Sequence, residues 1–210
     1  MSLLKNKYIV IKKVIDKDLS DFCYNYLRVK KQVYDTCIKN RYISPFEEVL
    51  GKYETDKQQV ANTYSTYGDI AMDTLMLKIQ PIMEQKTKLK LTPAYTYARV
   101  YKKGDILKRH KDRFSCEIST TLNLGGDNWP IYVEPSGKEN KKGVKVNLKP
   151  GDMLIYLGCE LEHWREPFEG DECVQVFLHY NNVKTKGAQE NMFDGRLHIG
   201  LPGWFKNNGK

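Results

Sequence analysis

The sequence has no hydrophobic run approaching the roughly 20 consecutive apolar residues that a membrane-crossing helix needs. Its first residues, MSLLKNKYIVIKK, carry neither the continuous apolar stretch nor the small-residue cleavage site of a secretory leader. The expectation is a soluble, cytoplasmic chain with no membrane partner. Cysteine is sparse and odd in number: Cys23, Cys37, Cys116, Cys159 and Cys173, with no CxxC spacing. That pattern argues against a disulfide framework and against a cysteine-based zinc or redox site, so the thiols are read as reduced. No internal repeat or low-complexity segment is present, which leaves a sequence of unlike elements.

What is there suits one folded domain. The chain has 210 residues, 40% of them hydrophobic and 29% charged, enough apolar material for a core and too little charge imbalance for disorder. The net charge of +8 comes from 34 Lys+Arg against 26 Asp+Glu. Most of it is lysine spread along the chain rather than clustered among aromatics, so a solvated surface is favoured over a nucleic-acid footprint. A monomer or a homodimer is expected.

The two halves differ in texture. The first 94 residues begin with a strand-like Tyr8-Ile9-Val10-Ile11. They continue into a predicted helix near 18–34, with Leu19, Phe22, Tyr26 and Leu27 at near-helical spacing. A second helix is predicted near 68–86, with Ile70, Leu75, Leu77, Ile79, Ile82 and Met83 as one broad apolar face. From about residue 95, short β-rich runs alternate with turns such as Lys103-Gly104-Asp105, Pro150-Gly151-Asp152 and Glu169-Gly170-Asp171. This spacing predicts an antiparallel sandwich or jelly roll rather than βαβ units. The expected fold is mainly β with flanking α: a jelly-roll core over 95–182, N-terminal support over 1–94 and a C-terminal extension over 183–210. The tail from Phe193 to Trp204 is expected to pack back on the core.

Only four histidines occur, and His110 is followed two positions later by Asp112. On a strand, residues i and i+2 share a face, so this imidazole and carboxylate can grip one metal ion together. The dipeptide spacing alone also suits a solvated loop, Lys108-Arg109-His110-Lys111-Asp112-Arg113. His163 follows the apolar strand Met153–Leu157, where a jelly roll can return beside the His110 strand. Two histidines and one carboxylate leave three metal positions open, the facial triad of non-haem Fe(II) oxygenases.

The chain resembles the Fe(II)/2-oxoglutarate-dependent oxygenases, in the prolyl 4-hydroxylase-like branch. The resemblance runs through Tyr95-Thr-Tyr-Ala-Arg-Val-Tyr-Lys-Lys-Gly104, His110-Lys-Asp112, Pro150-Gly-Asp-Met-Leu-Ile-Tyr156 and His163-Trp-Arg-Glu-Pro167, with Gly170 before the last strand. It implies an eight-stranded double-stranded β-helix with iron at its open end, held by His110, Asp112 and His163. It also implies 2-oxoglutarate and O2 as co-reactants and a prolyl residue of a peptide or protein as substrate.

One departure stands out. The family holds the distal carboxylate of 2-oxoglutarate with a basic residue on the last core strand, and Glu172-Cys173-Val174-Gln175 contains none. Arg165, two residues after His163, falls on the same strand face and is expected to replace it through charge-assisted hydrogen bonds. Tyr101 matches a cosubstrate-binding tyrosine of related hydroxylases, and Thr121 and Gln175 are further cosubstrate candidates. Arg99, Arg113, Glu117 and Trp164 surround the motif as substrate candidates. Glu117 is expected on the inner face in phase with Ser119 and Thr121, paired with one of the arginines. His179 and His198 have no carboxylate at metal-binding spacing and are read as packing or surface residues. Two other functions are open: oxidation of a nucleic-acid base or small molecule, and a non-catalytic metal- or ligand-binding jelly roll.

Overall fold

Alternation of apolar and polar side chains along the later strands decides the architecture, because each strand must bury two different faces. The computed structural model describes residues 3–54, 62–138 and 141–206. The chain runs α1 (Leu3–Asn6), β1 (Tyr8–Ile11), α2 (Lys17–Lys39), β2 (Lys52–Glu54), β3 (Thr63–Tyr67) and α3 (Ile70–Thr87). It continues with β4 (Leu91–Lys102), β5 (Leu107–His110), a 3-10 turn at Phe114–Cys116, β6 (Ile118–Gly126), β7 (Ile131–Glu134) and β8 (Val144–Val146). Last come β9 (Met153–Leu157), β10 (Glu162–Arg165) and β11 (Glu172–Asn182).

Both long helices start on an aspartate. Asp16 accepts the Leu19 N–H at 2.8 Å and Asp69 accepts the Met72 N–H at 3.1 Å, satisfying donors that a helix N-terminus leaves open. Each buries a stripe shifted from the expected one. In α2 the buried residues include Cys23, Leu27 and Tyr34 while Phe22 is exposed; in α3 they include Met72, Leu75, Met76, Ile79 and Met83 while Ile70 and Leu77 face out. Methionine fills the gaps between the stiffer aliphatics.

Two antiparallel sheets form the β-layer. The larger has the order β1-β9-β6-β11-β4-β3-β2 and the smaller β5-β10-β7-β8. Strands β4 to β11 make the eight-stranded jelly roll, and β1, β2 and β3 widen the larger sheet at its edges. The sequence pattern anticipated β1 but not β2 or β3, whose residues Lys52–Glu54 and Thr63–Tyr67 are rich in tyrosine, lysine and threonine rather than aliphatics. The main core lies between the larger sheet and the helices: Leu122, Met153, Ile155, Val174, Val176 and Leu178 pack against Leu27, Met76 and Ile79. The C-terminal segment returns over the sheet, where buried Arg196 reaches Asp73 at 3.4 Å.

Candidate metal centre

The inward faces of the same strands carry polar groups. Strand β10 pairs with β5 so that His163 lies opposite His110, and the two imidazoles stand with ring centroids 4.2 Å apart. The Asp112 N–H donates to the Gly158 carbonyl at 2.9 Å, which turns its side chain toward both rings. His110 Nε2 and His163 Nε2 are each 3.5 Å from the same oxygen, Asp112 Oδ1. On the far side of each ring, Nδ1 meets a backbone carbonyl: Lys108 at 2.7 Å for His110 and Leu161 at 3.1 Å for His163. A carbonyl can only accept, so each Nδ1 carries the proton and each Nε2 presents a lone pair toward Asp112. Single ligand atoms of the three residues lie within 4.8 Å of one another, a compact two-nitrogen, one-oxygen donor set.

Electrostatics keep this set in its ligating state. Burial pushes the His163 imidazolium down to about 4, so the ring is neutral at neutral pH. Burial opposes ionisation of Asp112 as well, but the imidazoles of His110, His163 and His179 around it and the hydrogen bond from the Ser119 hydroxyl outweigh it. They hold this carboxyl well below the usual range.

The group opens into a cavity of about 360 Å³, walled by Tyr95, Tyr97, Tyr156, Phe177 and His179. A larger cavity, about 670 Å³, lies along α2 among Phe22, Val29, Val33 and Ile70 and contains none of these ligating groups. Behind the metal group, Arg165 is 1% exposed. Its Nη2 donates to Thr121 Oγ1 at 3.2 Å, and that hydroxyl donates to Gln175 Oε1 at 3.0 Å. Its Nη1 donates to the Trp129 carbonyl and the guanidinium lies 4.9 Å over the Trp129 ring. Nε has no hydrogen-bond partner among the described residues, and no carboxylate there pairs with the group. Tyr101 is fully buried against Trp129, edge to face at 4.8 Å, and reaches the cavity wall. Arg165, Thr121 and Gln175 thus form one buried hydrogen-bonded group and Tyr101 shares Trp129 with Arg165; of the four, Tyr101 lines the cavity that holds His110, Asp112 and His163.

Two substrate candidates, Glu117 and Trp164, are placed differently from expectation. Glu117 is not on the inner face: it ends the 3-10 turn before β6 begins, so its phase differs from that of Ser119. Its carboxylate accepts from the Asn182 N–H at 3.0 Å and the Thr185 hydroxyl at 2.7 Å, without an arginine partner among the described residues. Trp164 alternates with His163 and Arg165 and so points outward, stacked on Tyr132 at 5.5 Å beneath the Arg109 guanidinium. Arg113 does border the cavity, bound through both terminal nitrogens to Asp194 at 2.8 and 2.9 Å. Arg99 is buried on the inner face, donating to the Tyr97 hydroxyl at 2.9 Å.

His179, read from sequence as a packing or surface residue, is indeed packed inside, but in the cavity wall and not in the apolar core. Its ring lies tilted against Tyr95, centroids 4.6 Å apart, with Nδ1 3.0 Å from Ser119 Oγ. The signal was present in the strand phase: Gln175, Phe177 and His179 are two apart and share the inner face. His198 is exposed, as the surface reading had it.

No family model and no curated protein matches this sequence. Solved structures do share the fold. A Pseudomonas putida prolyl-4-hydroxylase aligns over 86% of this chain and 95% of its own, with a TM-score of 0.56 and 15% identity. A viral collagen prolyl hydroxylase from Paramecium Bursaria Chlorella virus-1, solved with 2OG, covers 84% and 97% with TM-score 0.55 and 14% identity. A non-heme alpha ketoglutarate dependent epimerase from nogalamycin biosynthesis covers 86% and 80% with TM-score 0.63 and 13% identity. At these identities the likeness establishes the jelly-roll fold of the 2-oxoglutarate oxygenases, and the chemistry must be argued from the site.

Proposed function

We propose that this chain is an Fe(II)- and 2-oxoglutarate-dependent oxygenase that hydroxylates a prolyl residue in a peptide or protein. The observation that carries the oxygenase reading is Arg165. A guanidinium is charged at any physiological pH, and an unpaired charge in a protein interior costs several kcal/mol. Here one is fully buried, on the strand and face of a candidate ligand two residues away, with an unsatisfied Nε and no described carboxylate beside it. A dicarboxylate bound between the imidazole–carboxylate group and Arg165 resolves that imbalance. The donor set also fits: two imidazole nitrogens and one carboxylate oxygen suit iron(II) and leave positions open.

His110, Asp112 and His163 would hold the metal, and Arg165 would hold the distal carboxylate of the cosubstrate. Thr121 and Gln175 fix Arg165 by accepting its N–H and extending the hydrogen-bond chain, and Tyr101 with Trp129 excludes water from that end. Fe(II) and 2-oxoglutarate, when bound with O2, supply the oxidation of an unactivated C–H bond with release of succinate and CO2. Arg113 and Arg99 would meet the substrate. The prolyl assignment is supported by the sequence resemblance and by the two prolyl hydroxylases sharing the fold. The cavity's modest size, about 360 Å³, favours a small-molecule substrate as the second reading. A single domain, reduced thiols and an intracellular site belong to the same proposal.

Anaerobic titration with Fe(II), then measurement of succinate formed from 2-oxoglutarate in air, tests it. Wild type is expected to bind one iron and release succinate, and His110→Ala to do neither. A wild type that binds no iron and forms no succinate rejects the oxygenase. Proline-containing peptides gaining one oxygen atom by mass spectrometry separate the first substrate reading from the second.

A further inference from the structure

The two oxygens of Asp112 have different surroundings. Oδ1 faces both Nε2 atoms at 3.5 Å, whereas Oδ2 accepts a hydrogen bond from Ser119 Oγ at 2.8 Å. Ser119 is 0% exposed, and its oxygen also lies 2.8 Å from the Cys116 carbonyl and 3.0 Å from His179 Nδ1.

A serine hydroxyl has one proton and two lone pairs. The carboxylate and the carbonyl can only accept, so the hydroxyl proton belongs to them. His179 Nδ1 must therefore donate to Ser119, which fixes the ring as the Nδ1–H tautomer. The result is a directed chain: His179 Nδ1–H to Ser119 Oγ–H to Asp112 Oδ2. Tyr95, tilted against the ring with centroids 4.6 Å apart, packs on the imidazole.

Backbone packing closes the cradle. A Cβ at Gly158 would stand 2.5 Å from Asp112 Oδ2, 2.8 Å from Ser119 Oγ and 2.1 Å from the Cys116 carbonyl oxygen. Those atoms are too close for any side chain, so only glycine allows the carboxylate and the hydroxyl to meet there, while its own carbonyl takes the Asp112 N–H.

We propose that Ser119 and His179 are positioning residues that pin Asp112 Oδ2, so that Asp112 offers the metal one oxygen rather than two. This rests on the metal reading given above. A free carboxylate can bind a metal through both oxygens, and a second bond would fill a position that a chelating cosubstrate needs. With Oδ2 tied to Ser119, only Oδ1 faces the imidazoles. Outer-sphere partners of this kind set ligand orientation as firmly as the ligands set the metal.

The test uses the full-length, metal-free protein and Co(II) as the probe, read by calorimetry and by the visible d–d absorption of bound Co(II). Ser119→Ala and His179→Phe are each expected to weaken Co(II) binding about 10–100-fold and to change the absorption band, because the carboxylate is released. His179→Asn, which keeps an N–H near the Nδ1 position, is expected to restore both affinity and band to near wild type. A merely structural role would lower the thermal transition without altering the band of the Co(II)-loaded protein. Unchanged affinity and spectrum in Ser119→Ala and His179→Phe overturn the relay, as does His179→Asn behaving like His179→Phe. The two positions are varied independently, so a variant lost to misfolding leaves the other to decide. A wild type that takes up no Co(II) removes the metal reading and the relay with it, whereas normal wild-type binding with unaffected variants removes the relay alone.

Discussion

The four central strands of the larger sheet, β9, β6, β11 and β4, present two unlike faces built from the same residues in alternation. Toward the helices stand Met153, Ile155, Leu122, Val174, Val176, Leu178, Ala98 and Val100, all buried and apolar. Toward the smaller sheet stand Tyr156, Ser119, Thr121, Gln175, His179, Tyr95, Arg99 and Tyr101, also buried but mostly polar. One face repays burial by removing hydrocarbon from water; the other must satisfy every polar atom by a partner or hold it ready for a ligand. Stability and chemistry are thus separated by the pleat, a distance of one residue along the chain.

Substitutions can break that separation or sharpen it. The largest effect is expected at the inner face from Asp112→Ala. Losing a proposed direct ligand should weaken Co(II) binding by more than about 100-fold, since even an outer-sphere partner costs about 10–100-fold; calorimetry on the metal-free protein reads it. On the helix side, Leu178→Ala should cost about 2–5 kcal/mol of stability in urea unfolding by leaving a cavity. Its metal affinity per folded molecule should stay at the wild-type value. A fall in that affinity would mean the faces are not independent.

Acid should act selectively on the inner face. Burial depresses His163 and His179 from 6.5 to about 4, so the unfolded chain takes up these protons at a higher pH than the folded one. The stability they contribute is present above about pH 6.5 and lost as pH falls toward 4. Urea unfolding of the metal-free protein should show a decline of a few kcal/mol across that window, and His179→Phe should reduce it by roughly half, leaving the His163 share. A stability that is constant from pH 7 to 4 would contradict the burial of these neutral rings. The smallest effect is expected from Arg165→Ala. Loss of a charge-assisted contact, about 1.5–3 kcal/mol, should raise the KM for 2-oxoglutarate at least tenfold while leaving Co(II) affinity unchanged. An unaltered KM would move the carboxylate anchor elsewhere.

Much of this arrangement was legible in the sequence. Turn residues between short β runs placed the jelly-roll strands within a few residues, and helical spacing located both long helices. The i, i+2 rule put His163 with Arg165 on β10, whereas Asp112 lies past the end of β5 and comes beside His110 from a loop anchored on the Gly158 carbonyl, not by strand alternation. What misled was phase at element ends. Glu117 was counted on the strand with Ser119, but the 3-10 turn at Phe114–Cys116 shifts it by part of a turn and aims its carboxylate at Asn182. Trp164 was grouped with the site by nearness in sequence, although alternation sends it outward. The buried helix stripes drifted because methionines at 72 and 76 pack inside while Ile70 and Leu77 stay exposed.

His179 marks the boundary between the two sources of information. Its strand phase with Gln175 was readable, but its partner is a serine 60 positions earlier, and no local pattern links them. The sequence by itself determined which residues can ligate a metal, which stretches form strands and which faces are apolar, because these follow from side-chain chemistry and periods of 2 and 3.6. Only the tertiary structure decided that Asp112 sits between two imidazoles, that Gly158 leaves room for Ser119 beside it, and that Arg165 lies buried without an acid among the described residues. Those facts depend on strand register between segments far apart in the chain, which local physical chemistry does not encode.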